Sequence, residues 1–188
     1  MTTKPLLLGL VAPAGGGKTT VASYLESEYA FAPIAFAEPI LDMLCTLAQH
    51  ADVDGAWCAD PALKELAMPV IGHSYRELAQ TLGTEWGRNL DANLWVRLAD
   101  HKLDQALLRG ENVVITDVRF DNEMDWLHRR GGTLVRIQRE GMRDVRPHVS
   151  EQGWRYIACE HELVNNGSKG TLYEQIDRLI DGLRKGHA

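Results

Sequence analysis

No run of apolar residues in this chain approaches the roughly 18 to 20 that a membrane-spanning helix requires, so no such helix is expected. A secretory leader is not expected either. Lys4 precedes only a short apolar run, which leads into a glycine-rich loop instead of a small-residue cleavage site. Cysteine is scarce: Cys45, Cys58 and Cys159 are odd in number and form no C-x-x-C pair, so free thiols are expected and a disulfide framework is not. Cys159 stands close to His161, but no other ligands follow at a recognisable spacing, and a bound zinc is not expected. A basic surplus is missing as well. The formal net charge of −6 argues against a protein that coats nucleic acid, which needs a clustered cationic surface. There is no internal repeat and no low-complexity segment. With 188 residues, 45% of them hydrophobic and 24% charged, the composition suits one globular domain with a substantial core.

The most informative segment runs from Ala12 to Thr19, Ala-Pro-Ala-Gly-Gly-Gly-Lys-Thr, directly after the apolar run Leu6–Val11. A buried strand that feeds a glycine-rich loop ending in Gly-Lys-Thr and opening a helix is the P-loop arrangement. Gly15, Gly16 and Gly17 let the backbone curl so that several N–H groups converge on phosphate oxygens, where side chains would obstruct. Lys18 is placed to reach the β- and γ-phosphates, and the Thr19 hydroxyl to ligate Mg²⁺. The ATP-binding candidates are therefore Ala14, Gly15, Gly16, Gly17, Lys18, Thr19 and Thr20, beside the positive end of a helix. One departure stands out, because the motif usually begins with glycine and here has Ala12.

Short apolar runs alternate with helical patterns along the rest of the chain. After a helix over about Thr19–Tyr29, strands are expected at Pro33–Ala37, Asn112–Asp117, Thr133–Gln138 and, more weakly, His161–Asn165. Leu172, Ile176, Leu179, Ile180 and Leu183 fall on one face of a final helix. Strands separated by helices imply an α/β fold with a parallel sheet covered on both faces. Between the second and third strands, helical patterns cover Pro39 to about His50, Tyr75 to about Trp86, and Leu94–Leu108. That stretch, about 37–110, is too long for one crossover and is expected to be a helical insertion. A second excursion, about 139–159, is rich in arginine, glycine and aromatic residues and has no clean period.

Val113–Asp117 ends a β-branched run in aspartate, which beside a P-loop suits a Mg²⁺ ligand; Thr19 and Asp117 are the metal candidates. Arg119 follows two residues later, with a surface pairing to Asp121 or Glu123 as its plainer reading. The other arginines of note lie in the two excursions: Arg76, Arg88 and Arg97 in the first, Arg139, Arg143, Arg146 and Arg155 in the second. A planar guanidinium binds phosphate oxygens bidentately, so such residues suit a second anionic substrate or the transferring group. About half are expected to be solvated surface, Arg97 first among them.

Taken in order, these segments resemble the bacteriophage-type deoxynucleoside monophosphate kinases. The resemblance covers most of the chain: the P-loop, Phe36–Ile40, Gln80–Trp86 with Arg88 and Trp95, Thr116–Glu123, His148–Glu151 and Asn165–Ser168. Leu41 departs from it, standing where a lysine is expected. The resemblance implies a five-stranded parallel core, a helical monophosphate-binding region and a lid, which map onto the two excursions. It also implies that Asn165, Asn166 and Gly167 wrap the adenine of ATP; read alone, they are a turn. Phe36, Glu38, Arg76, Gln80, Arg88, Trp95, Arg119, His148 and Glu151 become candidates for the acceptor site, and Lys18, Arg119, Arg139 and Arg143 for catalysis. Expected partners are ATP with Mg²⁺ and a deoxynucleoside monophosphate, with no nucleic acid and no membrane, in the cytoplasm of the host if phage-encoded. A homodimer is left open.

Two rival readings remain at this point. A kinase of a small alcohol, of the dephospho-CoA or shikimate type, requires a carboxylate near the hydroxyl, for which Glu38 at the end of the second strand or Asp42 is placed. Glu38 is equally a helix N-terminal residue. An ATP-driven switch requires a water-positioning residue and a partner surface, and the sequence identifies neither. Trp86, Trp95 and Tyr75 either wall the acceptor's base and sugar or belong to the core of the insertion.

Overall fold

In the computed structural model, which describes residues 4–60, 62–141 and 157–186, the chain divides into two compact units. One comprises the described residues through Ala35 and from Leu98 onward; the other is Phe36–Arg97.

The first unit is an α/β sandwich built on strands β1 (Leu7–Val11), β2 (Phe31–Ile34), β3 (Asn112–Ile115), β4 (Thr133–Gln138) and β5 (His161–Val164). All pairings are parallel, in the order β2-β3-β1-β4-β5. Every residue of β1 is buried, as befits the middle strand of a sheet covered on both faces. Its side chains alternate between two cores. Leu8 and Leu10 face α1 (Lys18–Tyr29) and the C-terminal helix Lys169–Gly186, packing with Val21, Leu25, Ile176 and Ile180. On the other face a Cβ at Gly9 would lie 2.7 Å from Leu127, on the helix Asp121–Arg129. Glycine at position 9 thus lets that helix approach the central strand. The helix Leu94–Leu108 lies on this second face too, since Trp126 Nε1 donates to Asp100 at 2.7 Å.

The chain enters β2 after β1, returns through β3 between them, and then crosses to β4 on the far side of β1. The order reverses at β1, so the loop that follows β1 occupies the switch point where open α/β sheets bind ligands.

The second unit contains α2 (Glu38–His50), α3 (Ala56–Ala59), a 3₁₀ turn (Leu63–Glu65) and α4 (Tyr75–Gln80). The helices named earlier between them continue the numbering: α5 is Leu94–Leu108, whose first residues belong to this unit, α6 is Asp121–Arg129 and α7 is Lys169–Gly186. Beyond α4 the backbone widens into a π-helix, Thr81–Arg88. Trp95 fills the space beneath it: its indole Nε1 donates to the Gly83 carbonyl at 2.8 Å. A Cβ at Gly87 would lie 2.2 Å from the same ring. Trp95 is 4% exposed.

Several sequence expectations shift here. The second strand ends at Ile34, not Ala37, because Pro39 sits in the first turn of α2, where its missing N–H costs nothing. Glu38 therefore opens a helix and does not close a strand. Asp117 lies beyond the end of β3, and Asn165 beyond the end of β5. The single helix expected over Tyr75–Trp86 is α4 followed by the π-helix.

Two outcomes are expected from this packing. Tyr24 and Tyr29 on α1 both donate to the Asp177 carboxylate on α7, at 2.9 and 2.7 Å, and the Asp177 hydrogen bond, with burial, pushes the Tyr29 pKa up to about 12. Because the folded value lies above the ordinary one, this stabilisation is full below about pH 10 and is lost as pH rises towards 12. Titration of tyrosinate absorbance should show Tyr24, Tyr29 and Tyr75 ionising late, and Asp177→Asn should move Tyr24 and Tyr29, but not Tyr75, back towards the ordinary value. Trp95→Phe removes the donor to Gly83 and should lower stability by about 2 kcal/mol in denaturant unfolding.

Candidate active site

The glycine-rich loop joins the buried end of β1 to α1. Gly15 and Gly17 hold φ of 75° and 112°, the left-handed region that favours glycine. Gly16 is constrained differently: its N–H donates to the Pro13 carbonyl at 3.1 Å, and a Cβ there would meet Ala12 at 3.0 Å. Ala12 is absent from the residues with positive φ and is 4% exposed, so alanine fits where the motif usually has glycine. The Lys18 ammonium folds back along the loop, donating to the Ala12 and Pro13 carbonyls at 2.5 and 3.0 Å. Helix α1 opens at Lys18 with no side-chain cap and no acidic residue in its first turn. Its first-turn N–H groups lack intrahelical acceptors, which suits an anion. Thr19 and Thr20 lie in this turn.

Strand β3 pairs with β1 in parallel, Gly9 opposite Ile115, so the segment leaving β3 lies on the same sheet edge as the loop leaving β1. Asp117, half-buried, is on that segment. Arg119 follows, and Glu123 fixes the local backbone: its carboxylate accepts from the Arg119 and Phe120 N–H groups at 2.8 and 3.1 Å. Glu123, 2% exposed, caps α6 from its third residue. From the sequence alone it stands only as a partner for the Arg119 side chain. A glutamate three residues after a helix N-cap is the signal that would have found it.

Two more segments reach the loop. Arg139, just past β4, donates from Nη1 to the Gly15 carbonyl at 3.2 Å. Asn165, just past β5, donates from Nδ2 to the Gly16 carbonyl at 3.0 Å. The next residue, Asn166, accepts at Oδ1 from the Glu140 N–H at 2.7 Å, and Gly167 completes the turn before α7. The first unit thus gathers the loop, Asp117, Arg119, Arg139 and Asn165–Gly167 at the C-terminal edge of its sheet.

The remaining described candidates belong to the helical unit. Arg76 on α4 pairs through Nε with Glu65 at 2.6 Å. Gln80 ends α4, and Arg88 ends the π-helix with Nη1 3.5 Å from the Ala92 carbonyl. Phe36 is buried in the turn before α2, and Glu38 is the first residue of that helix. Tyr75 is buried, and burial together with the neighbouring Cys45 and Cys58 thiols pushes its pKa far up, so it stays protonated. Of the three aromatic residues considered for the acceptor, Tyr75 and Trp95 are core, and Trp86 is 49% exposed. Arg97 is exposed and paired with Asp91. Arg143, His148 and Glu151, with Arg146 and Arg155, lie outside the described residues.

Among the described residues no group of three or more His, Cys, Asp or Glu is arranged to hold a metal ion, and no helix is long and apolar enough to cross a membrane. Thr19 and Asp117 offer hard oxygen donors that suit Mg²⁺ when substrate phosphates complete its shell, as is usual for that ion.

The sequence of residues 62–176 matches the family model for deoxynucleotide monophosphate kinase. A protein of Acanthamoeba polyphaga mimivirus, provisionally named as such a kinase, is 32% identical over 94% of this chain and 96% of its own length. The deoxynucleotide monophosphate kinase of Enterobacteria phage T4 is 31% identical over 57% of this chain, and the match spans 45% of that enzyme. Among solved structures, a provisionally assigned kinase from Chloroflexus aurantiacus covers 97% of this chain at a TM-score of 0.53 and 13% identity, a likeness of fold. The Thermus thermophilus protein TT1252 covers 95% at 0.51 and 19%. With its glycine loop at the switch point of a parallel five-stranded sheet and a match of this extent, the chain belongs to the deoxynucleotide monophosphate kinase family.

Proposed function

We propose that this protein transfers the γ-phosphoryl group of ATP to the 5′-phosphate of a deoxynucleoside monophosphate, giving ADP and the deoxynucleoside diphosphate. The observation that carries this reading is the uncapped helix α1 behind a loop whose Gly15 and Gly17 turn through positive φ, in a chain of this family. In the transfer, the bond from the γ-phosphorus to the bridging oxygen breaks and a bond to an acceptor phosphate oxygen forms. That acceptor needs no general base, because a phosphate monoester loses its second proton near about pH 6. The alcohol-kinase alternative needs such a base; Glu38, its foremost candidate, is accounted for as a helix N-terminal residue favoured by the dipole.

The protein's share of catalysis is positioning and charge neutralisation. Lys18 exchanges its loop carbonyls for the β- and γ-phosphates. Arg119, Arg139 and Arg143 offset charge on the transferring group, and Arg119 also steadies the acceptor phosphate. Arg76, Arg88, Gln80, Phe36, Glu38, Trp95, His148 and Glu151 form the acceptor set; the buried Trp95 serves it through the π-helix it supports. Thr19 and Asp117 hold Mg²⁺, which supplies charge neutralisation on the phosphate chain when bound. Asn166 and Gly167 border the adenine, and the lid that the resemblance implies over about 139–159, most of it outside the described residues, would exclude water.

ADP release from Mg-ATP is the test, against deoxynucleoside and ribonucleoside monophosphates, dephospho-CoA and shikimate, with a control lacking acceptor. Turnover with at least one deoxynucleoside monophosphate is expected. Turnover confined to an alcohol acceptor would transfer the mechanism to a carboxylate base, and release without acceptor would indicate an ATP switch. Lys18→Ala should cut kcat at least about a hundredfold while leaving the melting temperature unchanged. Asp117→Ala should cost about tenfold to a hundredfold, in part recoverable at raised Mg²⁺.

A further inference from the structure

The turn after β5 carries a contact that a base-binding role does not explain. The Asn165 N–H extends the strand pairing by donating to the Gln138 carbonyl at 2.7 Å, which fixes the residue's backbone. Its side-chain amide then donates to the Gly16 carbonyl at 3.0 Å. The chemistry sets the amide's orientation, because the reverse would face two acceptor oxygens. The fit is close: a Cβ at Gly17 would lie 2.4 Å from Asn165 Nδ2. Glycine at 17 is thus required twice, by its φ of 112° and by the asparagine seated against it.

The Gly16 carbonyl and the Gly17 N–H share one peptide plane. No peptide bond in the described residues is cis, so the two groups point in opposite directions. Holding the carbonyl therefore aims the amide, and that amide belongs to the set that converges on phosphate. We infer that Asn165 is a positioning residue for the phosphate chain of the donor: it braces the glycine loop from β5 and sets the direction of the Gly17 N–H. Asn166, tied to Glu140, and Arg139, tied to Gly15, link the same turn and loop to the exit of β4. The contact spans 149 positions in sequence and is made through the loop, so any ligand of the loop feels it, with or without a base.

The inference rests on reading the loop as the donor site, and binding measurements separate the two. Calorimetry would compare Mg-ATP with inorganic tripolyphosphate, a phosphate chain without a base, on the full-length protein and on Asn165→Ala. Both affinities are expected to fall by the same factor, about tenfold, with the near-UV spectrum unchanged. A loss for ATP alone would assign Asn165 to the base and overturn the inference, as would no loss for either ligand. Asn165→Ser keeps a shorter donor and should recover part of both affinities; if Asn165→Ala fails to fold, the same comparison is read from Asn165→Ser. Should the unaltered protein bind neither ligand, the donor-site reading itself would fall.

Discussion

The proposed donor site depends on how sharply the backbone turns between β1 and α1. A fully buried strand must pass within a few residues into a helix whose first N–H groups have no intrahelical acceptor, and Gly15 and Gly17 meet that demand through positive φ. Around this turn the neighbouring strands act as fixtures. β3 delivers Asp117 and Arg119 to the same edge, β4 delivers Arg139, and β5 delivers Asn165. The sheet is thus more than a core, because its parallel order sets which strand ends meet at the loop.

The helical unit follows a different logic. Its local order comes from one buried indole set against two glycines, with Gly83 offering a carbonyl and Gly87 offering space. The π-helix that results ends at Arg88. Widened turns of this kind occur often at functional positions because they displace side chains from the regular helical face. Supporting such a turn with a buried side chain fixes the displacement in place.

How much of this was legible depended on how local the cause was. β4 and α5 have the boundaries their sequence implies, because a short, mostly apolar stretch and a clean helical period each act over a few residues; the glycine loop is legible too, although its helix opens at Lys18 and not at Thr19. The sequence pattern places the second strand too late, omitting Phe31 and Ala32 and beginning it at Pro33. Pro33 is tolerated because β2 is an edge strand, paired among the described residues only to β3. The π-helix escaped notice, since one extra residue per turn hardly changes the pattern of apolar positions. The cap from Glu123 is visible in principle as a glutamate three residues past a helix N-cap. The brace from Asn165 is not, because it joins residues far apart in sequence and follows from strand order, which local pattern does not specify.

The central claim is that the acceptor is a phosphate and that the product is a diphosphate. Phosphorus NMR of Mg-ATP incubated with the protein and a deoxynucleoside monophosphate reads this directly. The account predicts that the monophosphate signal gives way to the paired resonances of a deoxynucleoside diphosphate, matched by ADP. Accumulation of inorganic phosphate with the monophosphate unchanged would contradict it.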